Sequence, residues 1–169
     1  MDNQTQQVMF SSKSNDWETP QHFYDKLNKE FGPFTLDPCA TEKSTKVSEH
    51  YFTPSDDGLF QDWDGQTVFM NPPYGREIKA WIKKAYSESL KPDTKVVCLI
   101  PARTDTKYWH KFCMKASEIY FVKGRLHFEN KGAEQTNAAP FPSAVVIFRG
   151  PPIVGMPPEN LRVGAMDSK

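Results

Sequence analysis

The chain has 169 residues, a mass of 19.4 kDa and a formal net charge of zero, with 38% hydrophobic and 13% aromatic residues. That length fits one domain with a core large enough to need no disulfide or metal staple. No apolar run approaches the roughly 20 residues of a membrane helix, and Cys39, Cys98 and Cys113, odd in number and widely spaced, argue against a disulfide framework or zinc site and predict reduced thiols.

Charge is unevenly distributed. Residues 1–66 carry five Lys/Arg against twelve Asp/Glu, and residues 67–169 carry sixteen against nine. Such asymmetry points toward nucleic acid on one face, with solvated helix faces as the plain alternative. The start, MDNQTQQVMFSSKSND, lacks the basic opening and apolar middle of a signal peptide, so a soluble, cytoplasmic protein is expected.

In chain order, residues 1–15 are rich in Gln, Asn and Ser and read as a disordered tail. The ordered domain is expected over 16–150. In ETPQHFYDKLNKEFG, Thr19 can cap a helix and Pro20 suits its first position, Phe23, Tyr24, Leu27 and Phe31 recur at helical spacing, and Gly32 ends it. FTLD (34–37) reads as a short buried strand followed by the loop PCATEKSTK. SEHYFT can form a strand, whereas PSDDGLFQDWDG is dominated by turn formers.

The alternation then becomes regular. TVFM (67–70) is a strand, and Ile78, Trp81, Ile82 and Ala85 share one face of the following helix. KVVCLIP has the continuous apolar character of a strand covered on both faces. TDTKYWHKFCMKA reads as a helix, with Trp109, Phe112, Cys113 and Ala116 at helical spacing. EIYFVKG and SAVVIFRG are two further strands ending in a hairpin, and residues 151–169 form a Pro-rich tail. The predicted class is an α/β, Rossmann-like fold with a single, mainly parallel sheet of about seven strands, a C-terminal antiparallel hairpin and helices on both faces. Ligands of such sheets bind outside the carboxyl ends of the strands, which brings the loops 37–41 and 71–75 together.

NPPYG (71–75) is the most constrained of these loops. Two prolines with φ fixed near −65° hold the Asn71 side-chain oxygen and the Pro72 carbonyl as a rigid pair of acceptors. The exocyclic amino group of adenine is a poor nucleophile because its lone pair is delocalised into the ring. Acceptors aimed at its two N–H bonds favour the tetrahedral geometry that attack requires. Asn71 acts there by orientation and charge stabilisation, since an amide does not ionise usefully. Tyr74 is expected to offer a flat ring on which an extruded base stacks, a contact worth roughly 1–3 kcal/mol.

These residues match a signature. WETPQHFYDKL, FTLDPCAT, DGLFQDW, FMNPPYG, PARTDTKYWH and GRLHF, in this order, resemble the blocks of the phage-type DNA N-6-adenine methyltransferases (the phage Dam-like family), within the amino-group DNA methyltransferases that carry Asp/Asn/Ser-Pro-Pro-Tyr/Phe. The resemblance runs from about Trp17 to Phe148. It implies catalytic residues Asn71, Pro72, Pro73 and Tyr74, and S-adenosylmethionine as donor of a methyl group to the adenine amino nitrogen of double-stranded DNA. It implies cofactor contacts from Thr19 and Pro20, from Asp37, Pro38, Cys39 and Ala40, and from Asp62, Trp63 and Asn71. Trp17 flanks these blocks and is weighed equally as a cofactor contact and a packing residue. A helix N-terminus at Thr19 independently suits an anionic group. The resemblance also suggests a phage or prophage origin, with methylation shielding the genome from restriction.

One departure is the loop DPCATEKS, which lacks the glycines of the DPFxGSG loop found in many amino methyltransferases, so backbone approach to the cofactor must be arranged differently. No separate recognition domain is expected after these blocks, so any reading of bases is expected from loops. The best candidate is residues 130–142, with Lys131, Gln135 and Asn137, while Arg103, Lys107 and Lys111 suit phosphates. Arg125 suits either DNA or a structural ion pair.

His22, His50, His110 and His127 share no metal-ligand spacing, so no metal is expected. Trp81 and Trp109 are expected to pack helices on the sheet. Two alternatives stay open: the same chemistry on RNA adenine or protein glutamine, and a non-catalytic nucleic-acid-binding protein that kept the fold.

Overall fold

The structure, a computed structural model, describes residues 17–130, 137–150 and 160–169 together with the backbone of 133–134. The expected tail 1–15, Lys131, Gln135 and residues 151–159 of the Pro-rich segment lie outside the described residues.

Helix α1 (Gln21–Phe31) forms as its apolar spacing predicts, burying Phe23, Tyr24, Leu27 and Phe31. Each such side chain contributes about 1.5–3 kcal/mol on leaving water. Its cap differs from expectation. Pro20 occupies the N-cap without a side-chain bond, and the Thr19 hydroxyl is engaged by Asn71 instead.

Strand β1 (Thr67–Met70) leads into the proline corner, and α2 (Ile78–Ser89) returns with Ile78, Trp81, Ile82 and Ala85 buried. β2 (Lys95–Pro101) is buried along six of its seven residues, as its unbroken apolar run requires. The next helix is shorter than its sequence spacing suggests. It divides into α3 (Lys107–Lys111) and a 3-10 turn at Cys113–Lys115, with Trp109 and Cys113 both buried. β3 (Glu118–Lys123), the short strands β4 (Glu129–Asn130) and β5 (Ala133–Glu134), β6 (Ser143–Arg149) and β7 (Arg162–Asp167) complete the order.

The expectation of about seven strands in a mainly parallel sheet is corrected. Among the described residues the sheet has five strands in the order β1-β2-β6-β3-β7, and it is mixed. β1–β2 and β3–β7 pair in parallel, whereas β2–β6 and β3–β6 are antiparallel, so β6 alone runs against the others. Segment 34–37 contributes single bridges, not a full strand: Leu36 to Val68 and Asp37 to Tyr51, both parallel. β7 lies beyond residue 150, so the sheet continues past the expected end of the domain.

Because β1, β2 and β3 point one way, their carboxyl ends share an edge with the start of β6. Asp37, Asn71, Arg103 and the segment entering Ser143 therefore meet there, and the Ala102 amide donates to the Pro142 carbonyl at 2.9 Å. No helix among the described residues is long and apolar enough to cross a membrane.

Candidate active site

The corner begins where β1 runs out of pairing. Pro72 and Pro73 have no amide hydrogen and cannot continue the ladder, so the chain turns away and Asn71 is left at the strand end. Its Nδ2 donates to the Trp17 carbonyl and, at 2.9 Å, to the Thr19 hydroxyl. A carbonyl can only accept, so the Trp17 contact fixes which end of the amide is nitrogen. With both amide hydrogens held on one side, Oδ1 points the other way. It is buried and has no hydrogen-bond partner. An orphaned buried acceptor is costly, typically about 1–3 kcal/mol, and calls for a ligand donor to meet it.

Asn71, Pro72 and Pro73 wall a cavity of about 170 Å3 together with Asp37, Cys39, Ala40, Trp17 and Thr19. The two loops that the sheet topology brings to one edge thus share one site. Asp37 is 7% exposed. Burial pushes its carboxyl up to about 7, against the lowering effect of the Cys39 amide, which donates to Oδ1 at 3.2 Å. A half-neutral carboxylate in an enclosed site is poised to pair with a cation.

The glycine-free loop after Asp37 is shaped by side chains. The Thr41 and Ser44 amides each donate to the other residue's hydroxyl, at 3.0 and 3.1 Å, closing a tight turn. Close approach is supplied by Gly58, in the block DGLFQDW: a Cβ there would lie 1.9 Å from the Pro38 carbonyl oxygen. Glu18, Thr41, Ser44, Lys46, Pro54 and Phe69 also line the cavity and were not singled out in the sequence. Phe69 follows from strand alternation once β1 is placed, but nothing local to residues 41–46 tells which polar side chain folds back.

Several expected site residues lie elsewhere. Tyr74 is 3% exposed; its hydroxyl donates to the Leu99 carbonyl at 3.0 Å, and its ring packs edge-on against Phe128 and Phe141. The expected open stacking platform is corrected to a buried anchor, because both the polar and the apolar parts of the phenol are satisfied inside the core. Trp63 is completely buried, with its indole N–H donating to the Gly58 carbonyl at 3.0 Å. Asp62 is exposed and pairs with Lys91 at 2.7 Å; that bond holds its carboxyl below the usual range. Neither residue reaches the cavity. Pro38 lies behind it against Gly58, and Pro20 caps α1 beside it.

Among the expected nucleic-acid contacts, Arg103, Lys107, Lys111 and Asn137 are exposed. Arg103, Lys107 and Lys111 follow the end of β2 on the turn and helix where Thr106 caps α3. Arg125 donates to the Ala139 carbonyl at 3.2 Å, bracing the segment that leads to β6. Cys98 and Cys113 are buried and unbridged, and burial pushes the Cys113 thiol up to about 12. Neither is a nucleophile.

A cavity at the carboxyl edge of an α/β sheet, walled by an Asn-Pro-Pro corner and a buried carboxylate, is the arrangement of a methyltransferase-type enzyme. Residues 6–156 match the family model described as DNA N-6-adenine-methyltransferase (Dam), and the chain belongs to that family. It is similar to the DNA N-6-adenine-methyltransferase of Haemophilus phage HP1, 32% identical over 136 residues that cover 78% of this chain and 77% of that one. It is also similar to the protein of the same name in Escherichia phage T1, 29% identical over 119 residues, covering 70% of this chain and 49% of that protein. Membership implies a methyl donor as co-substrate.

Proposed function

We propose that the chain transfers a methyl group from S-adenosylmethionine to the exocyclic amino group of an adenine turned out of double-stranded DNA. The observation that carries this reading is the Asn71 amide, held through its nitrogen while the oxygen of this cavity-lining residue stays buried without a partner. A neutral N–H donor is what that oxygen lacks. S-adenosylmethionine supplies, when bound, a methyl group activated by a sulfonium charge.

The residues present fit both ligands. The Asp37 carboxylate suits the cationic part of the donor, and the prolines keep the acceptor geometry fixed, so no reorganisation is needed as charge develops on the amino nitrogen. Asn71 Oδ1 and the Pro72 carbonyl accept from the two N–H bonds of the base. The amide takes no proton, which leaves the displaced one to solvent after transfer. Tyr74 contributes by tying the corner to β2. Arg103, Lys107 and Lys111 suit the phosphate backbone along the same edge, and Asn137 suits base edges.

The experiment is transfer of labelled methyl from S-adenosylmethionine to duplex DNA, RNA and protein extract in parallel, followed by mapping of modified adenines. Label in duplex DNA as N6-methyladenine is the expected result. Label confined to RNA or protein, or none with a folded protein that S-adenosylmethionine stabilises thermally, overturns the reading.

A further inference from the structure

Beside the cavity lies a half-buried ion pair that the chemistry above does not use. Lys46 Nζ sits 2.7 Å from Glu129 Oε2, with side chains only 14% and 9% exposed. The other carboxylate oxygen, Oε1, accepts the backbone N–H of Gln21 at 2.7 Å, the first amide of α1. The Glu129 backbone amide in turn donates to the Glu18 carbonyl at 2.8 Å, and the two residues form an antiparallel bridge. One residue therefore grips the segment 18–21 at both ends. That segment and its neighbour Trp17 carry the carbonyl and the Thr19 hydroxyl that hold the Asn71 amide.

We propose that Glu129 is a positioning residue for Asn71: by clamping residues 18–21 through its backbone and one carboxylate oxygen, and anchoring to Lys46 through the other, it fixes the rotation of the catalytic amide. The inference rests on the adenine-methyltransfer reading. Three features carry it. The charges are too enclosed to be ordinary surface ornament, since enclosed charges are retained only where partners satisfy them. The partners come from segments 83 and 108 residues apart in the chain, so the arrangement exists only when three distant segments are assembled. Lys46 itself lines the cavity, so the pair ties a cavity-lining side chain to the residue that holds segment 18–21.

Glu129 also begins β4, whose Asn130 pairs with Ala133 of β5.

The test is Glu129→Gln, which keeps size and can accept one hydrogen bond but loses the ion pair. Expected are a fall in kcat of tenfold or more, a dissociation constant for S-adenosylmethionine within threefold of the parent, and shifted side-chain amide resonances of 15N-labelled Asn71. In an Asn71→Ser background, where no amide remains to be oriented, adding Glu129→Gln should cost no more than twofold. Should Glu129→Gln fail to fold, Lys46→Gln/Glu129→Gln replaces it as a neutral pair with the same expectations. Unchanged kcat and resonances overturn the proposal, as does an equal loss in the Asn71→Ser background, which marks a merely structural role. A parent protein that methylates no adenine defeats the underlying reading instead.

Discussion

Asn71 and Tyr74 stand at the two ends of one four-residue corner, yet the fold treats them oppositely. Asn71, at the cavity wall, has both amide hydrogens engaged and its buried oxygen without a partner; Tyr74 has its hydroxyl bonded to Leu99 and its ring enclosed by Phe128 and Phe141. The prolines between them explain the division. They fix the direction of the chain, so one end can be anchored in the core while the other is presented with little freedom. The lesson is that the corner contains its own scaffold, and its candidate working atom is distinguished by what it lacks.

The largest effect that sharpens this contrast is on chemistry. Asn71→Ala removes the proposed acceptor, and methyl transfer to duplex DNA should fall by about 10²–10³ or more in kcat, with donor affinity measured by calorimetry nearly unchanged. A variant with full activity would break the comparison at its Asn71 end. Tyr74→Ala should act on stability instead, with a loss of about 3–5 kcal/mol in denaturant unfolding, as for other large buried aromatics. Tyr74→Phe keeps the ring and gives up only the bond to Leu99, about 1 kcal/mol. If Tyr74→Phe instead abolished transfer at unchanged stability, the phenol would have a chemical role that its burial conceals.

Asp37 provides a test of comparable size through pH. Its ordinary value is near 3.9, and burial raises it to about 7 in the fold. Below pH 4 both folded and unfolded chains hold the proton, so stability is at its fullest. As pH rises toward 7 the unfolded chain ionises first, and stability falls by up to about 4 kcal/mol before levelling off. Asp37→Asn should flatten that part of the profile. A bound cation requires the carboxylate, so affinity for S-adenosylmethionine should weaken as pH falls below 7, by up to about tenfold per pH unit. A pH-independent dissociation constant between pH 5 and 7.5 would remove Asp37 from the cofactor's partners.

Much of the fold was legible because burial leaves a periodic imprint. KVVCLIP and SAVVIFR are continuous apolar runs, and both became strands buried over six residues. RVGAMD carries no such imprint, since β7 is an edge strand whose side chains are exposed or half-buried. Its place is set by fit. Gly164 lies against the Tyr120 ring, whose carbons are 3.0 Å from where a Cβ would stand. The mixed sheet was illegible for a related reason, because β6 reads as a buried strand whichever way it runs. In the site, Asn71 and Asp37 could be read from motif and strand position together. Lys46 and Glu129 could not, since neither has a local pattern and their pairing exists only in three dimensions.

The block DGLFQDW marks the limit of such reading, and its aspartate yields the smallest predicted effect. Asp37 and Asp62 both lie in blocks that resemble cofactor-binding elements, but Asp62 is exposed and bonded to Lys91, which also pairs with Glu88 at 2.7 Å. Lys91 therefore keeps a carboxylate partner when Asp62 is changed, and an exposed ion pair of this kind is screened by solvent. Asp62→Asn should leave thermal unfolding, donor affinity and methyl transfer indistinguishable from the parent. Gly58→Ala, four residues earlier, should weaken donor binding, because the added methyl must displace the Pro38 carbonyl backbone beside Asp37. If Asp62→Asn impaired donor binding while Gly58→Ala did not, the block would act through its carboxylate and not through the close packing of its glycine.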